Sequence, residues 1–166
     1  VLLRDVDAGD VEAYRRMRCD PVMMADLGGP MPAESVAGQL RHDLDLVARG
    51  AGLIKMIVPD PADPTAVAGT VTLHRHAIDG APAAEIGWMV LPEHQGRGVA
   101  GRAVRMLLDE ARRAGGWSPV HAFPGVDNAA SNGLCRSLGF ALLGKRETPF
   151  RGQVFRTRHW VLDLLA

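Results

Sequence analysis

Gln95-Gly96-Arg97-Gly98-Val99-Ala100-Gly101 decides how this chain is read. A run of small residues at the start of a strong helical pattern makes a place for an anion. Upstream, Ala84 to Leu91 reads as a strand that stops at Pro92. Downstream, Val99, Ala103, Val104, Met106, Leu107, Leu108 and Ala111 recur at helical spacing, with Arg102, Arg105, Asp109, Glu110, Arg112 and Arg113 between them, until Gly115-Gly116 ends the pattern. The first turn of such a helix has unpaired N–H groups and the positive end of the macrodipole, and the small residues let a phosphate approach. The bland alternative is a glycine-rich turn that only joins strand to helix. Two patterns share these residues: G-x-G-x-x-G over Gly96, Gly98 and Gly101, and Q-x-x-G-x-A over Gln95, Gly98 and Ala100.

Working outward, Leu2 to Val6 reads as a short strand, and Asp10 as the cap of a helix over Val11 to Arg18. A Met-, Gly- and Pro-rich loop runs from Pro21 to Pro32. A second helix spans Ala33 to about Arg49 with Val36, Leu40, Leu44 and Val47 as its apolar stripe, closed by Gly50. Leu53 to Val58, Ala66 to His74 and Ala83 to Leu91 are strand-like, broken by Pro59 to Pro64 and by Asp79 to Pro82. Pro119 to Phe123 is a short strand and Asn128 to Leu138 a short helix stopped by Gly139. Phe140 to Leu143 and Val154 to Leu164 form a final pair around Arg151-Gly152. Consecutive strands followed by a strand-helix-strand-helix-strand section predict an α+β fold in α/β/α layers, with a mixed, mostly antiparallel sheet of about seven strands. A doubly wound dinucleotide fold alternates from its start and places an acid after the next strand to bind ribose; here that strand ends in Phe123 without one. The G-x-G-x-x-G match is therefore incidental, and no Gly-Lys-Ser/Thr follows to make a Walker A loop.

The chain has 166 residues, which fits one domain over 1–166. Its 19 basic and 19 acidic residues cancel, arguing against a nucleic-acid backbone or an anionic membrane as partner. The two cysteines, Cys19 and Cys135, imply neither a disulfide framework nor a zinc site, and they favour a reducing, cytoplasmic compartment. No stretch is long and apolar enough to span a bilayer, and the first residues lack the pattern of a secretory leader.

Three motifs in order then resemble the GNAT superfamily of acetyl-CoA-dependent N-acetyltransferases over nearly the whole chain. They are Glu85 to Glu93, resembling that family's fourth strand and its exit; Gln95-x-x-Gly98-x-Ala100; and Asn128-Ala129-Ala130-Ser131 followed by Leu138-Gly139-Phe140. Gly87-Trp88, Cys135 and the tail around Arg151-Gly152 and Trp160 look most like the ribosomal-protein N-terminal acetyltransferase (RimJ/RimL-like) branch. The resemblance implies a GNAT-like fold and acetyl transfer from acetyl-CoA, used as co-substrate without a metal, to a primary amine of a small molecule or protein N-terminus by direct attack in a ternary complex. A chain of this fold that only binds the coenzyme is the alternative.

The same resemblance implies roles for individual residues. Gln95, Gly96, Arg97, Gly98, Val99, Ala100 and Gly101 would hold the pyrophosphate, with Arg97 or Arg102 on a phosphate. Trp88, Met89 and Val90 would pair with the pantetheine arm, and the Val90 N–H would take the thioester oxygen. Asn128 would bond that arm or a water, or simply cap its helix, and Ser131 would lie one turn along. Acyl transfer needs the neutral amine, whereas an alkyl amine is mostly protonated at neutral pH, so a base is required. Glu85 is the candidate, against an exposed or ion-paired glutamate. Many relatives keep a tyrosine acid where this chain has Cys135; a thiol packs more readily than it donates, which leaves Ser131, a water or no acid at all, since a thiolate is a stable leaving group. Some N-terminal acetyltransferases carry a glutamate where Phe123 stands, which adds weight to Glu85.

His74 and His76 alternate on one strand face, as a polar face or as two ligands lacking a third. His94 shapes the loop, and His121 faces the acceptor or is a satisfied half-buried histidine. Met17, Met23, Met24 and Met31 are acceptor-pocket wall or core filler in equal measure. Trp160 to Leu165 is core strand or dimer seam, so a homodimer stays open.

Overall fold

A computed structural model describes residues 1–150 and 152–166, except for the side chain of Phe150. The expected hairpin tip at Arg151 lies outside the described residues. Among these, seven strands form one sheet in the order β1-β2-β3-β4-β5-β7-β6. They are β1 (Leu2–Asp5), β2 (Gly52–Val58), β3 (Gly69–Ile78), β4 (Ala81–Val90), β5 (Val120–Ala122), β6 (Ala141–Phe150) and β7 (Gln153–Leu162). All neighbours are antiparallel except β4 and β5. Helices α1 (Val11–Arg18) and α2 (Val36–Ala48) cover one face, and α3 (Val99–Ala114) and α4 (Ala129–Ser137) the other.

Alternation along β4 assigns its side chains to two cores. Ala84 and Ile86 pack with Val71, Leu73, Val120 and the apolar face of α3, namely Val99, Ala103, Val104, Leu107, Leu108 and Ala111. Each fully buried leucine of that face contributes roughly 1.5–3 kcal/mol. Met89 packs instead with Tyr14, Met17, Met24, Leu40, Ile54 and Met56 beneath α1 and α2. Met17 and Met24 are thus core, with Met23 and Met31 packed against them.

Three boundaries differ from expectation for local reasons. Asp10 lends no side-chain cap to α1; a 3-10 turn over Ala8–Asp10 precedes the helix and Asp7 caps it. Asp10 is buried, accepting from the Asp7 N–H at 2.8 Å and from Arg4 at 2.6 and 3.0 Å. The β3–β4 connection is tighter than its sequence suggests. Asp79 and Gly80 both adopt positive φ (52° and 78°), a two-residue turn that lets the strands run from Ile78 straight into Ala81. Finally, β6 and β7 are longer than expected and pair up to Phe150 and Gln153.

Candidate active site

The parallel seam between β4 and β5 is paired only at Ala84 with Val120 and Glu85 with His121. Beyond those pairs β4 continues to Val90 while β5 stops at Ala122. The Ala84 N–H donates to the Pro119 carbonyl at 3.1 Å, on the β5 side, and the Leu91 N–H donates to the Ala68 carbonyl at 2.8 Å, on the β3 side. Strand alternation turns the N–H and C=O of Ile86, Trp88 and Val90 to the β5 side; the Glu85–His121 pair takes up the Ile86 N–H, and the groups of Trp88 and Val90 face the opening. Such backbone groups require partners when shielded from water, so this edge suits an amide-bearing ligand. Met89 differs from its two neighbours. Its carbonyl lies 2.0 Å from where a Cβ on Gly69 would stand, so its backbone faces β3 and its side chain the core.

At the end of this edge, Gln95 donates from Nε2 to the Val90 carbonyl at 2.8 Å. Gly96 and Gly98 follow, each with φ of +72°, a conformation that favours glycine. Gly98 is the N-cap of α3 and supplies no capping side chain, and the helix has no acid in its first turn. The first intrahelical bond runs from the Arg102 N–H to the Gly98 carbonyl, so the N–H groups of Val99, Ala100 and Gly101 have no partner within the helix. The side chain of Val99 is buried under the loop, while Arg97 and Arg102 are exposed. Among the described residues neither arginine has a carboxylate partner. The loop thus presents a row of donors, a helix dipole and two cations to one place.

On the α3 and α4 side, Trp88 Nε1 donates to Ser131 Oγ at 3.2 Å, and the Ser131 N–H donates to Asn128 Oδ1 at 3.0 Å. Asn128 is the cap of α4, as its sequence position predicts. Asn132, buried, donates to the carbonyls of Gly125 and Asn128 and accepts from Trp160 Nε1 at 2.9 Å. These bonds hold α4 beside the opening. Cys135 is fully buried in the core, and burial pushes its thiol up to about 12. It packs as an apolar residue.

Across the sheet, Glu85 stands at the last paired position of the seam, beside His121. Its Oε2 lies 2.8 Å from His76 Nε2 and both side chains are partly exposed. His74, directly opposite Glu85 on β3, is shielded, and burial lowers its pKa. The tendency of His74 and His76 to share a face is real, yet among the described residues no group of three His, Cys, Asp or Glu is close enough to hold a metal. Where β7 meets the loop before α1's partner helix, a cleft of about 300 Å³ is lined by Asp26, Asp127, Phe155 and Arg156 among others. Trp160 and Leu164 are core residues.

Sequence reading missed Asp79, Arg146 and His159. They come from a turn and two distant strands, and converge on His121 through the sheet register alone. No spacing along the chain signals that convergence.

The family model described as an acetyltransferase (GNAT) domain matches residues 1–141. Solved structures share the fold. RimL, a ribosomal L7/L12 alpha-N-protein acetyltransferase in complex with coenzyme A, aligns with a TM-score of 0.80 at 21% identity, over 97% of this chain and 92% of its own. YncA, a putative acetyltransferase from Salmonella typhimurium with its cofactor acetyl-CoA, gives 0.77 at 23% identity, over 98% and 93%. A spermidine N-acetyltransferase chimera of the Vibrio cholerae SpeG gives 0.78 at 20% identity, over 99% and 95%. With the family match covering most of its length, the chain belongs to the GNAT acetyltransferase family.

Proposed function

We propose that the opening between β4 and β5 receives acetyl-CoA and that a primary amine meets it from the Glu85 face, attacking directly while both are held. The observation that carries this reading is the unpaired edge of β4 leading into the donor-rich loop at α3. When bound, the thioester supplies the acetyl group. The chain supplies binding, orientation and proton handling.

The N–H groups from Gly96 to Gly101 hold the pyrophosphate and Arg97 and Arg102 offset its charge. The Trp88 carbonyl and the Val90 N–H pair with the amides of the pantetheine arm, while Gln95 occupies the Val90 carbonyl and fixes the loop against the strand. Glu85 and Val90 are five residues apart on an extended strand, roughly 16 Å. A single reaction centre therefore does not use both directly. The Trp88 N–H, roughly 10 Å from Glu85 along the strand and aimed into the opening, is the nearer donor for the thioester oxygen. Glu85, held by His76, takes the proton from the incoming ammonium through a water. Ser131, already oriented by Asn128 and Trp88, faces the departing sulfur.

The acceptor class is a protein N-terminus or a small-molecule amine, and the cleft with Asp26 and Asp127 offers an approach for a cation. RimL and the spermidine enzyme lend support from both sides of that choice. A cytoplasmic setting belongs to the same proposal, resting on two free cysteines; no helix is long and apolar enough to cross a membrane among the described residues. The test is thiol release from acetyl-CoA across a panel of a serine-initiated peptide, a lysine peptide, spermidine and an aminoglycoside. Amine-dependent release is expected. Tight coenzyme binding with no release from any amine would overturn it in favour of a binding module.

A further inference from the structure

Four side chains from four elements form one line on the Glu85 face of the sheet. Arg146, on β6, makes a two-pronged ion pair with Asp79 in the β3–β4 turn; its NH1 lies 3.0 Å from Oδ1 and its NH2 bonds Oδ2. The same guanidinium donates from Nε to His159 Nδ1 at 3.0 Å. His159 Nε2 lies 2.6 Å from His121 Nδ1. Phe123 stacks on both imidazoles and lies under the guanidinium, 5.4 Å from its ring centre, so the aromatic ring braces the line.

The direction of every hydrogen bond follows from one fact. An arginine only donates and stays charged. His159 Nδ1 must then be the bare nitrogen, so the proton of neutral His159 sits on Nε2 and is donated to His121 Nδ1. That leaves His121 with its proton on Nε2. Among the described residues, His121 Nε2 has no hydrogen-bond partner, and the ring is only half-buried beside Glu85, its register partner. Protonating His159 would set N–H against N–H at Arg146, and protonating His121 would do so at His159. Burial and the Arg146 charge lower the pKa of both imidazoles, which agrees with two neutral rings.

We propose that Asp79, Arg146 and His159 are positioning residues that fix His121 as an Nε2–H donor beside Glu85, where it receives an oxygen carried by the acceptor next to its amine. This rests on the reading that the acceptor enters on the Glu85 face. A ring locked in this way is not a base, because its only bare nitrogen is already occupied. It distinguishes acceptor chemistry: an amine flanked by a carbonyl, as at a peptide N-terminus, uses the donor, whereas a polyamine has no oxygen to offer. The charged or titratable groups that act on His121 are Arg146, Asp79, Glu85 and His76, with His159 bonded at its Nδ1.

Two measurements test it. Long-range proton–nitrogen NMR on histidine-labelled protein at pH 7.5 (about one pH unit above the ordinary histidine range) is expected to show Nδ1 bare and Nε2 protonated on both His121 and His159, and to show mixed tautomers in Arg146→Met. A proton on His121 Nδ1 in the native protein would overturn the proposal without touching the acetyl-transfer reading. In kinetics, His121→Phe keeps the stack and removes the donor. It is expected to raise KM for a serine-initiated peptide by roughly three- to tenfold relative to spermidine, with KM for acetyl-CoA unchanged. An equal change for both amines would overturn the specificity role. If the native enzyme releases thiol with no amine of the panel, the acetyl-transfer reading fails while the NMR result still decides the hydrogen-bond chain.

Discussion

Gln95 reaches back to the Val90 carbonyl at 2.8 Å, so the side chain that begins the glycine-rich loop closes the last open acceptor of the β4 edge. Gln95→Ala is expected to free the loop and raise the Kd for coenzyme A several-fold, about 1 kcal/mol for one hydrogen bond. Calorimetry with coenzyme A checks this, and unchanged affinity would mean that the tie is not used in binding.

Gly98 combines a left-handed backbone with the closest approach to the start of α3. Gly98→Glu adds strain, bulk and a negative charge at the proposed pyrophosphate. Coenzyme binding should vanish in calorimetry, while Gly98→Ala, carrying strain of about 1 kcal/mol and a contact 3.4 Å from Arg102, should weaken it less. Retained affinity in Gly98→Glu would remove the loop from the binding site.

Glu85→Gln keeps size and polarity and removes the proposed base. Turnover is expected to fall by roughly 10²-fold with little change in affinity for coenzyme A. The deficit should shrink as pH rises toward the acceptor amine's own pKa, because the free amine then needs no proton acceptor. A pH-independent turnover equal to that of the native enzyme would remove Glu85 from the role.

Cys135 gives a stability prediction with a definite sign. Its folded pKa, raised to about 12 by burial, exceeds the ordinary thiol value. Between these values the unfolded chain loses a proton that the folded chain keeps, so stability is complete below pH 9 and falls as pH rises toward 12, by up to ~4 kcal/mol. In denaturant titrations Cys135→Ala should flatten that alkaline loss while leaving turnover nearly unchanged. Retention of the full loss would place its origin elsewhere, with the buried Tyr14 hydroxyl, bonded to Asp43 at 2.6 Å, as the next group to test.

Periodicity and punctuation made much of this molecule legible before any coordinates. The α3 stripe, the loop ahead of it and the Asn128 cap are local signals, written within a few residues, and they stand where expected except for Met106, which faces outward. Asp10 was misread because an extra turn upstream took over the capping, and a cap is indistinguishable from a buried ion-pair partner when only the sequence spacing is known. The Asp79, Arg146, His159 and His121 line was illegible for a deeper reason. Its members meet through β6–β7 pairing and the seam beside β5, and sheet register is a tertiary fact that short-range patterns do not carry.

The two-residue seam also gives one strand two kinds of amide. From Ile86 to Leu91, Gly87, Met89 and Leu91 direct their N–H groups to β3, Ile86 gives its N–H to the seam with His121, and Trp88 and Val90 direct theirs to the opening. Hydrogen exchange should therefore alternate beyond the seam, slow at Gly87, Met89 and Leu91 and fast at Trp88 and Val90. The fast set should slow selectively when coenzyme A is added. A single strand then reports its own ligand occupancy, with its odd-numbered amides serving as the internal reference.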